Sequence, residues 1–319
     1  MLGAAMAYLD DDFLLHSPTA RRLFHEVAAD QPIYDYHCHL SPREIAGNHR
    51  WSNLAEIWLG GDHYKWRLMR ANGVDERLIT GDADPRDKFQ AWAETVPWTL
   101  RNPIHHWTHI ELQRYFGIDL MLGPDTAEEI WERANEKLAE PDFCVHGILK
   151  KFDVRVVGTT DDPADPLDDH AAIAASDLAT VVAPTFRPDK ALLVDRPDLL
   201  VPWLEKLEAM ADIDIVHLSD LLAALQKRHD DFHAAGARLS DHGLDRLPAL
   251  HCTDEEAALI FDNARSGRAA TEEEKEKFSF YLMVFFGQLD AARGWTKQFH
   301  LGAFRNINTR MAGKLGPDT

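Results

Sequence analysis

Ile33-Tyr34-Asp35-Tyr36-His37-Cys38-His39 reads as a short apolar strand that ends in two histidines one residue apart. Side chains alternate faces along a strand, so the two imidazoles fall on one side, close enough to grip a single divalent cation, while Cys38 points the other way into packing. In a parallel barrel the reacting groups sit at the C-terminal ends of strands, which is where this pair lies. Histidines so spaced also occur by chance in exposed strands. Upstream, Ser17 is a good N-cap and Pro18 suits a first helical position; Leu23, Phe24, Val27 and Ala28 then recur at helical spacing until Gln31-Pro32 stops them.

Working outward, the signals from Ser41 to about Asp153 are almost all helical. Asn102-Pro103 opens a helix that Gly117 closes, and Thr126 with Glu129 predicts a capping box ahead of Ile130, Ala134 and Leu138 on one face. Such a run exceeds an ordinary crossover and predicts a helical insertion packed beside the first strand. Strands return at Val154–Val157, before Gly158-Thr159-Thr160-Asp161-Asp162-Pro163, and at Ala179–Ala183, before Arg187-Pro188-Asp189-Lys190. Ser219 is expected to cap a helix through Leu221, Leu222, Leu225 and Phe232 that ends near Gly236, and Arg238-Leu239-Ser240-Asp241-His242 follows. Thr271 with Glu274 predicts a second box, opening a helix through Phe278, Tyr281, Leu282, Phe285 and Leu289 that Gly294 closes before Trp295–Phe304, which carries His300. Strand, helix, strand with polar residues after each strand is the grammar of a parallel α/β fold. Five strands are expected where a closed (β/α)8 ring needs eight, within one domain spanning 1–319.

Composition narrows the function. The 319 residues are 45 % hydrophobic, enough for a large core, and carry a formal net charge of −19. That balance argues against nucleic acid or an anionic membrane as partner, and an anionic small molecule would need a local cation. Met1 to Phe13 lacks the basic segment of a secretory signal, no apolar run approaches the ~18 residues of a membrane span, and the three cysteines are too few and scattered for a disulfide framework, so the cytoplasm is the expected compartment. Arg187, after an apolar run, can pair bidentately with a carboxylate, although an arginine beside a proline is as readily a surface residue. Asp241-His242 and His300 occupy equivalent strand-end places, where substrate hydroxyls or a metal could be met, or where a histidine simply bonds backbone. His63-Tyr64 suits a proton shuttle or plain packing. His105, His106 and His109 share a helix, with His105 and His109 one turn apart as a metal pair could be, but read rather as structural or as a subunit contact, and Glu272-Glu273-Glu274 as a helix start favoured by the dipole.

Taken together, Asp35 to Leu40, Gly61 to Arg67, Val157 to Pro163, Arg187 to Lys190, Ser240-Asp241-His242, His300-Leu301-Gly302-Ala303 and Arg305-Asn306 give the chain a close resemblance, from Asp11 to its last residue, to the uronate (glucuronate) isomerases of the amidohydrolase superfamily. The resemblance implies an incomplete (β/α)8 barrel with about five of its eight strands and a helical insertion at about 41–153. It implies an aldose-ketose isomerase acting on hexuronates, D-glucuronate to D-fructuronate and D-galacturonate to D-tagaturonate, by proton transfer between C2 and C1. It implies His37 and His39 as ligands of a weakly held divalent metal, zinc by expectation; His63 and Tyr64 as catalytic; and Arg187, Asp241, His242, His300 and Arg305 as substrate contacts. Relatives of this kind continue beyond Thr319 through three strands that bear an aspartate of the metal site and a further arginine, so a truncated isomerase is expected. Two alternatives stand beside it. One is metal-dependent hydrolysis, for which no bridging lysine is evident at a strand end; the other is an inactive open barrel that survives only by association, as in a homo-oligomer.

Overall fold

The strand preceding the paired histidines is shorter than its sequence suggests. In the computed structural model, which describes residues 8–317 and 319, β1 spans Ile33–Asp35, and His37, Cys38 and His39 lie just past its end. The opening Met1–Ala7, part of the segment read as lacking a signal, lies outside the described residues. β2 (Val154–Gly158) pairs with β1, and β3 (Val181–Ala183) with β2; β4 (Leu239–Leu244) pairs with β5 (Thr296–Leu301), and every ladder is parallel. Phe186 stitches the two sheets together through parallel bridges to Asp161 and Ser240. There the Arg187 N–H donates to the Asp161 carbonyl at 2.9 Å and the Asp241 N–H to the Phe186 carbonyl at 3.0 Å. The strands therefore follow one another in chain order.

A flat five-stranded sheet would hold its outer strands about 19 Å apart, four spacings of roughly 4.8 Å. Here Gln298 Nε2 on β5 donates to the Tyr36 carbonyl at 3.3 Å, and the His37 and His300 rings have centroids 4.7 Å apart. The sheet must curl strongly, bringing the ends of its first and last strands face to face. Helices cover its outside, with Phe186 at the heart of their core: fully buried, edge-on to Phe232 at 5.2 Å and joined there by Leu204, Leu221, Phe261, Phe278 and Phe286.

By its contacts the chain divides into two compact units. The sheet unit comprises Ile33–Gly47 and Leu149–Ala303; the other comprises Asn48–Ile148, the described residues up to Pro32, and the segment from Phe304. The helical insertion expected at 41–153 thus lies mostly in the second unit, which has its own core of Leu54, Trp58, Met69, Phe89, Trp92, Leu112 and Ile130. Ile130, Ala134 and Leu138 are buried together as their spacing requires. His105 and His109 are buried and structural: His109 Nδ1 donates to the His105 carbonyl at 2.6 Å and its Nε2 accepts from the Leu122 N–H at 3.0 Å.

The helix caps follow the sequence pattern at some ends and depart from it at others. Ser17 Oγ accepts from the Ala20 N–H, yet the helix Pro18–Leu23 passes into a π turn over Phe24–Ala28. Gly117 and Gly294 close their helices in the left-handed conformation, and the Thr271–Glu274 box forms in both directions, at 2.7 and 3.2 Å. The Thr126–Glu129 box does not form: the Thr126 hydroxyl oxygen accepts from the Gly123 N–H at 3.0 Å instead, and its proton goes to the Met121 carbonyl at 2.6 Å. Nor does Ser219 cap: the N-cap is His217 and the helix Leu218–Ala234 starts two residues earlier than such a cap would set it, with Asp220 accepting from the N–H groups of Val216 and His217. A box at Thr253 and Glu256 was not anticipated. Among the described residues no helix is long and apolar enough to cross a membrane.

Candidate active site at the ends of the strands

Alternation along β4 and β5 sorts the polar residues onto two faces. Asp241 and His300 turn toward the end of β1, while Ser240, His242 and Lys297 turn away from it; the register sets Ser240 opposite Lys297 and Gly243 opposite His300. Asp241 and His242, read together from the sequence, therefore serve different surroundings.

On the first face the Asp241 carboxylate is completely buried and is the hub. Its Oδ1 accepts from His300 Nδ1 at 2.7 Å, which puts the proton on Nδ1 and leaves His300 Nε2 as the atom able to take a proton or meet a cation. Its Oδ2 lies 3.1 Å from Arg187 Nη1, an ion-pair contact, and 3.9 Å from His37 Nδ1. Arg187 is held from behind, because its Nε donates to Asp189 Oδ2 at 2.8 Å and that same oxygen accepts the Gly243 N–H at 3.0 Å. His39 stands edge-on to His37 with ring centroids 5.1 Å apart, so the two imidazoles do share a side. A cavity of about 400 Å³ opens here, lined by Asp35, Tyr36, His37, Gln298, Phe299 and His300.

Burial, reinforced by His300 and Arg187, holds the His37 imidazole below its ordinary value against the pull of Asp241, and burial does the same to His39. Both are thereby kept in the neutral form a metal requires. His37 Nδ1 and Asp241 Oδ2 have no hydrogen-bond partner among the described residues, although both are buried. A buried imidazole nitrogen and a buried carboxylate oxygen left unpartnered 3.9 Å apart suit a shared cation, since donors at about 2.0–2.2 Å from a tetrahedral ion lie about 3.4 Å apart. The ligand atoms of His37, Asp241 and His300 all lie within 4.8 Å of one another, so this nitrogen and oxygen donor set fits a divalent ion, with Arg187 competing for the carboxylate. Cys38 is not part of it: burial pushes its thiol up to about 11.

Behind this face lies a buried network the sequence reading did not anticipate. Lys297 Nζ lies 2.6 Å from Asp290 Oδ2, 3.2 Å from Ser240 Oγ and 2.8 Å from His242 Nε2, while Ser240 Oγ donates to Asp290 Oδ2 at 2.7 Å and His229 Nε2 meets Asp290 Oδ1 at 3.1 Å. Burial and the Lys297 ammonium push His242 down to about 3, so it stays neutral. Asp189 also escaped notice except as a neighbour of Arg187; its position two residues on, in a turn, was the available signal. For Lys297 the signal was a lone lysine inside a strand, on the face opposite His300.

His63 and Tyr64 open the helix His63–Ala71, whose N-cap Asp62 accepts from the Tyr64 and Lys65 N–H groups at 3.0 and 3.1 Å. Their rings are 4.4 Å apart and Arg67 lies over Tyr64 at 5.4 Å. These residues, like Arg305, belong to the helical unit, whereas Arg187, Asp241, His242, His300, His37 and His39 all belong to the sheet unit.

The family model for glucuronate isomerase matches residues 6–319. A uronate isomerase of Solibacter usitatus is 57 % identical over 314 residues, covering 98 % of this chain and 67 % of the relative, and one of Bacteroides thetaiotaomicron is 50 % identical over 313 residues with the same coverage. The crystal structure of uronate isomerase from Thermotoga maritima superimposes with a TM-score of 0.92 at 35 % identity, over 98 % of this chain and 68 % of that one. Glucuronate isomerase from Caulobacter crescentus gives 0.88 at 25 %, over 96 % and 66 %. The chain thus spans about two thirds of the length of the proteins it resembles.

Proposed function

This chain belongs to the glucuronate isomerase family, and from that premise we propose that it interconverts an aldose and a ketose hexuronate, D-glucuronate with D-fructuronate and D-galacturonate with D-tagaturonate. Its five strands are then the first five of an eight-stranded barrel. The observation that carries the reading is the Arg187–Asp241–His300 constellation at the strand ends.

The reaction moves a proton from C2 to C1 of the open-chain sugar through an enediol whose oxygens gather negative charge. Asp241 fixes the tautomer and orientation of His300, so that Nε2 takes or returns the proton. Arg187, locked by Asp189, is the fixed cation that an acidic protein must supply to an anionic substrate. His37 and Asp241, with His39 alongside, are the residues that would hold a divalent metal, zinc being the ion their donor set suits, which leaves His300 Nε2 free for the proton. When bound, that ion supplies a Lewis acid to the sugar oxygens. His63 and Tyr64 are assigned the proton shuttle, and His242 and Arg305 substrate contacts, on sequence resemblance alone.

The test is to incubate the 319-residue protein with each aldose hexuronate in heavy water and follow the C2 proton and the ketose signals by proton NMR. Ketose should form, and Asp241→Asn should lower kcat/KM by about a hundredfold, the scale of losing charge-assisted bonds to a buried carboxylate. Absence of ketose, or hydrolysis of a simple lactone or amide in its place, overturns the reading for this chain.

A further inference from the structure

Lys297 has three donors and no acceptor, and each donor has an acceptor to meet. Asp290 Oδ2 lies at 2.6 Å; Ser240 Oγ, whose own proton is committed to Asp290, lies at 3.2 Å; His242 Nε2 lies at 2.8 Å. The lysine side chain is 17 % exposed, Asp290 5 % and His242 fully buried, so water does not compete for these bonds. An ammonium can only donate. His242 Nε2 must therefore offer its lone pair, and the ring proton must sit on Nδ1. That Nδ1 is buried with no hydrogen-bond partner among the described residues, and the nearest carboxylate oxygen is Asp189 Oδ1, at 4.0 Å, itself buried and unpartnered. The other oxygen of Asp189 holds Arg187 Nε and the Gly243 N–H.

We propose that Lys297 is a positioning residue: it fixes His242 as the Nδ1–H tautomer, so that a positive N–H dipole rather than a lone pair faces Asp189, which keeps that carboxylate in place to orient Arg187. The opposite tautomer would set the Nδ1 lone pair against the Asp189 oxygen in a buried space, and the carboxylate would turn away, releasing the guanidinium. This inference bears on the site assigned above but does not need turnover, so it can fail while the isomerase reading stands, and the reverse.

The experiment is long-range nitrogen-15 to carbon-bound-proton NMR on full chain labelled at histidine and arginine, at neutral pH, with the His242 signals identified by their loss in His242→Gln. Wild type should show the Nδ1–H pattern. In Lys297→Met with Asp290→Asn, which removes both charges of the pair and avoids stranding a buried carboxylate, His242 should move toward Nε2–H, and the Arg187 Nε–H signal should lose its protection from solvent exchange. Lys297→Gln, whose amide can still donate to Nε2, should retain the wild-type tautomer, a rescue that mere filling of space would not give. An Nε2–H pattern in wild type overturns the proposal whatever the variants do, and so does an unchanged Nδ1–H pattern in the folded double variant.

Discussion

At the scale of single residues, the site depends on how closely Arg187 can lie against β4. Gly243 makes that approach possible: a Cβ there would stand 2.6 Å from Arg187 Nη2 and 3.1 Å from Asp189 Oδ2, far inside contact distance for the first. Because the obstructing atom is the far end of an arginine, the side chain can move aside, and the cost falls on function rather than on folding. Gly243→Ala should leave the melting temperature within a few degrees of wild type while weakening binding of D-glucuronate by about ten- to a hundredfold, the scale of one lost charge-assisted bond. Calorimetric titration measures it, and unchanged affinity would show that Arg187 does not contact the ligand. The sequence marked Arg187, Asp241 and His300 individually, since polar residues after apolar runs stand out. It could not show that Asp241 faces inward and His242 outward, because that depends on strand register.

At the scale of elements, two devices hold the sheet unit together, and they differ in strength. Phe186 at once carries the β-bridges described between the β1–β3 ladder and β4–β5 and is a fully buried ring in the helical packing. Phe186→Ala should cost about 3–5 kcal/mol, the transfer of a large ring plus the cavity it leaves, read as a shift of the urea midpoint. The Thr271–Glu274 box sits at the exposed start of the helix Glu272–Arg293, so Thr271→Ala should cost only about 1 kcal/mol. A comparable loss for both would mean that Phe186 is not the keystone its burial indicates. Capping boxes were legible when the pattern stood alone, as at Thr271. They failed where another partner intervened: the Gly123 N–H occupies the Thr126 hydroxyl oxygen, and Asp220, one residue beyond Ser219, took over the capping. Local pattern cannot decide such competitions, because the rival group is set by how the preceding loop folds.

At the scale of the whole molecule, chain order was readable from the pattern of strands and helices, and curvature only from the resemblance to a barrel family. Strand, helix, strand repeats announce a parallel sheet, but the meeting of His37 with His300 follows from a curl that joins residues more than 260 positions apart, as Gln298 and Tyr36 do. One consequence of that enclosure is acid sensitivity. Burial lowers His37, His39, His109, His170 and His242, the last to about 3 from an ordinary 6.5. Above pH 6.5 such a group is neutral in both states and costs nothing. Below it the unfolded chain takes up a proton that the folded chain refuses, so stability is lost as pH falls, by up to about 1.4 kcal/mol per pH unit for His242 until its folded value is reached. Asp161, Asp189 and Glu111 act in the opposite sense, since burial raises them and the folded state takes their protons first on descent into the carboxylate range. The histidine losses begin earlier, and unfolding free energy measured by urea titration should already fall between pH 6.5 and 5.5. His242→Gln removes the most depressed of these groups and should flatten that slope by up to about 1.4 kcal/mol per pH unit; a slope identical to wild type would mean that His242 is protonated in the folded chain and that the Lys297 network does not keep it neutral.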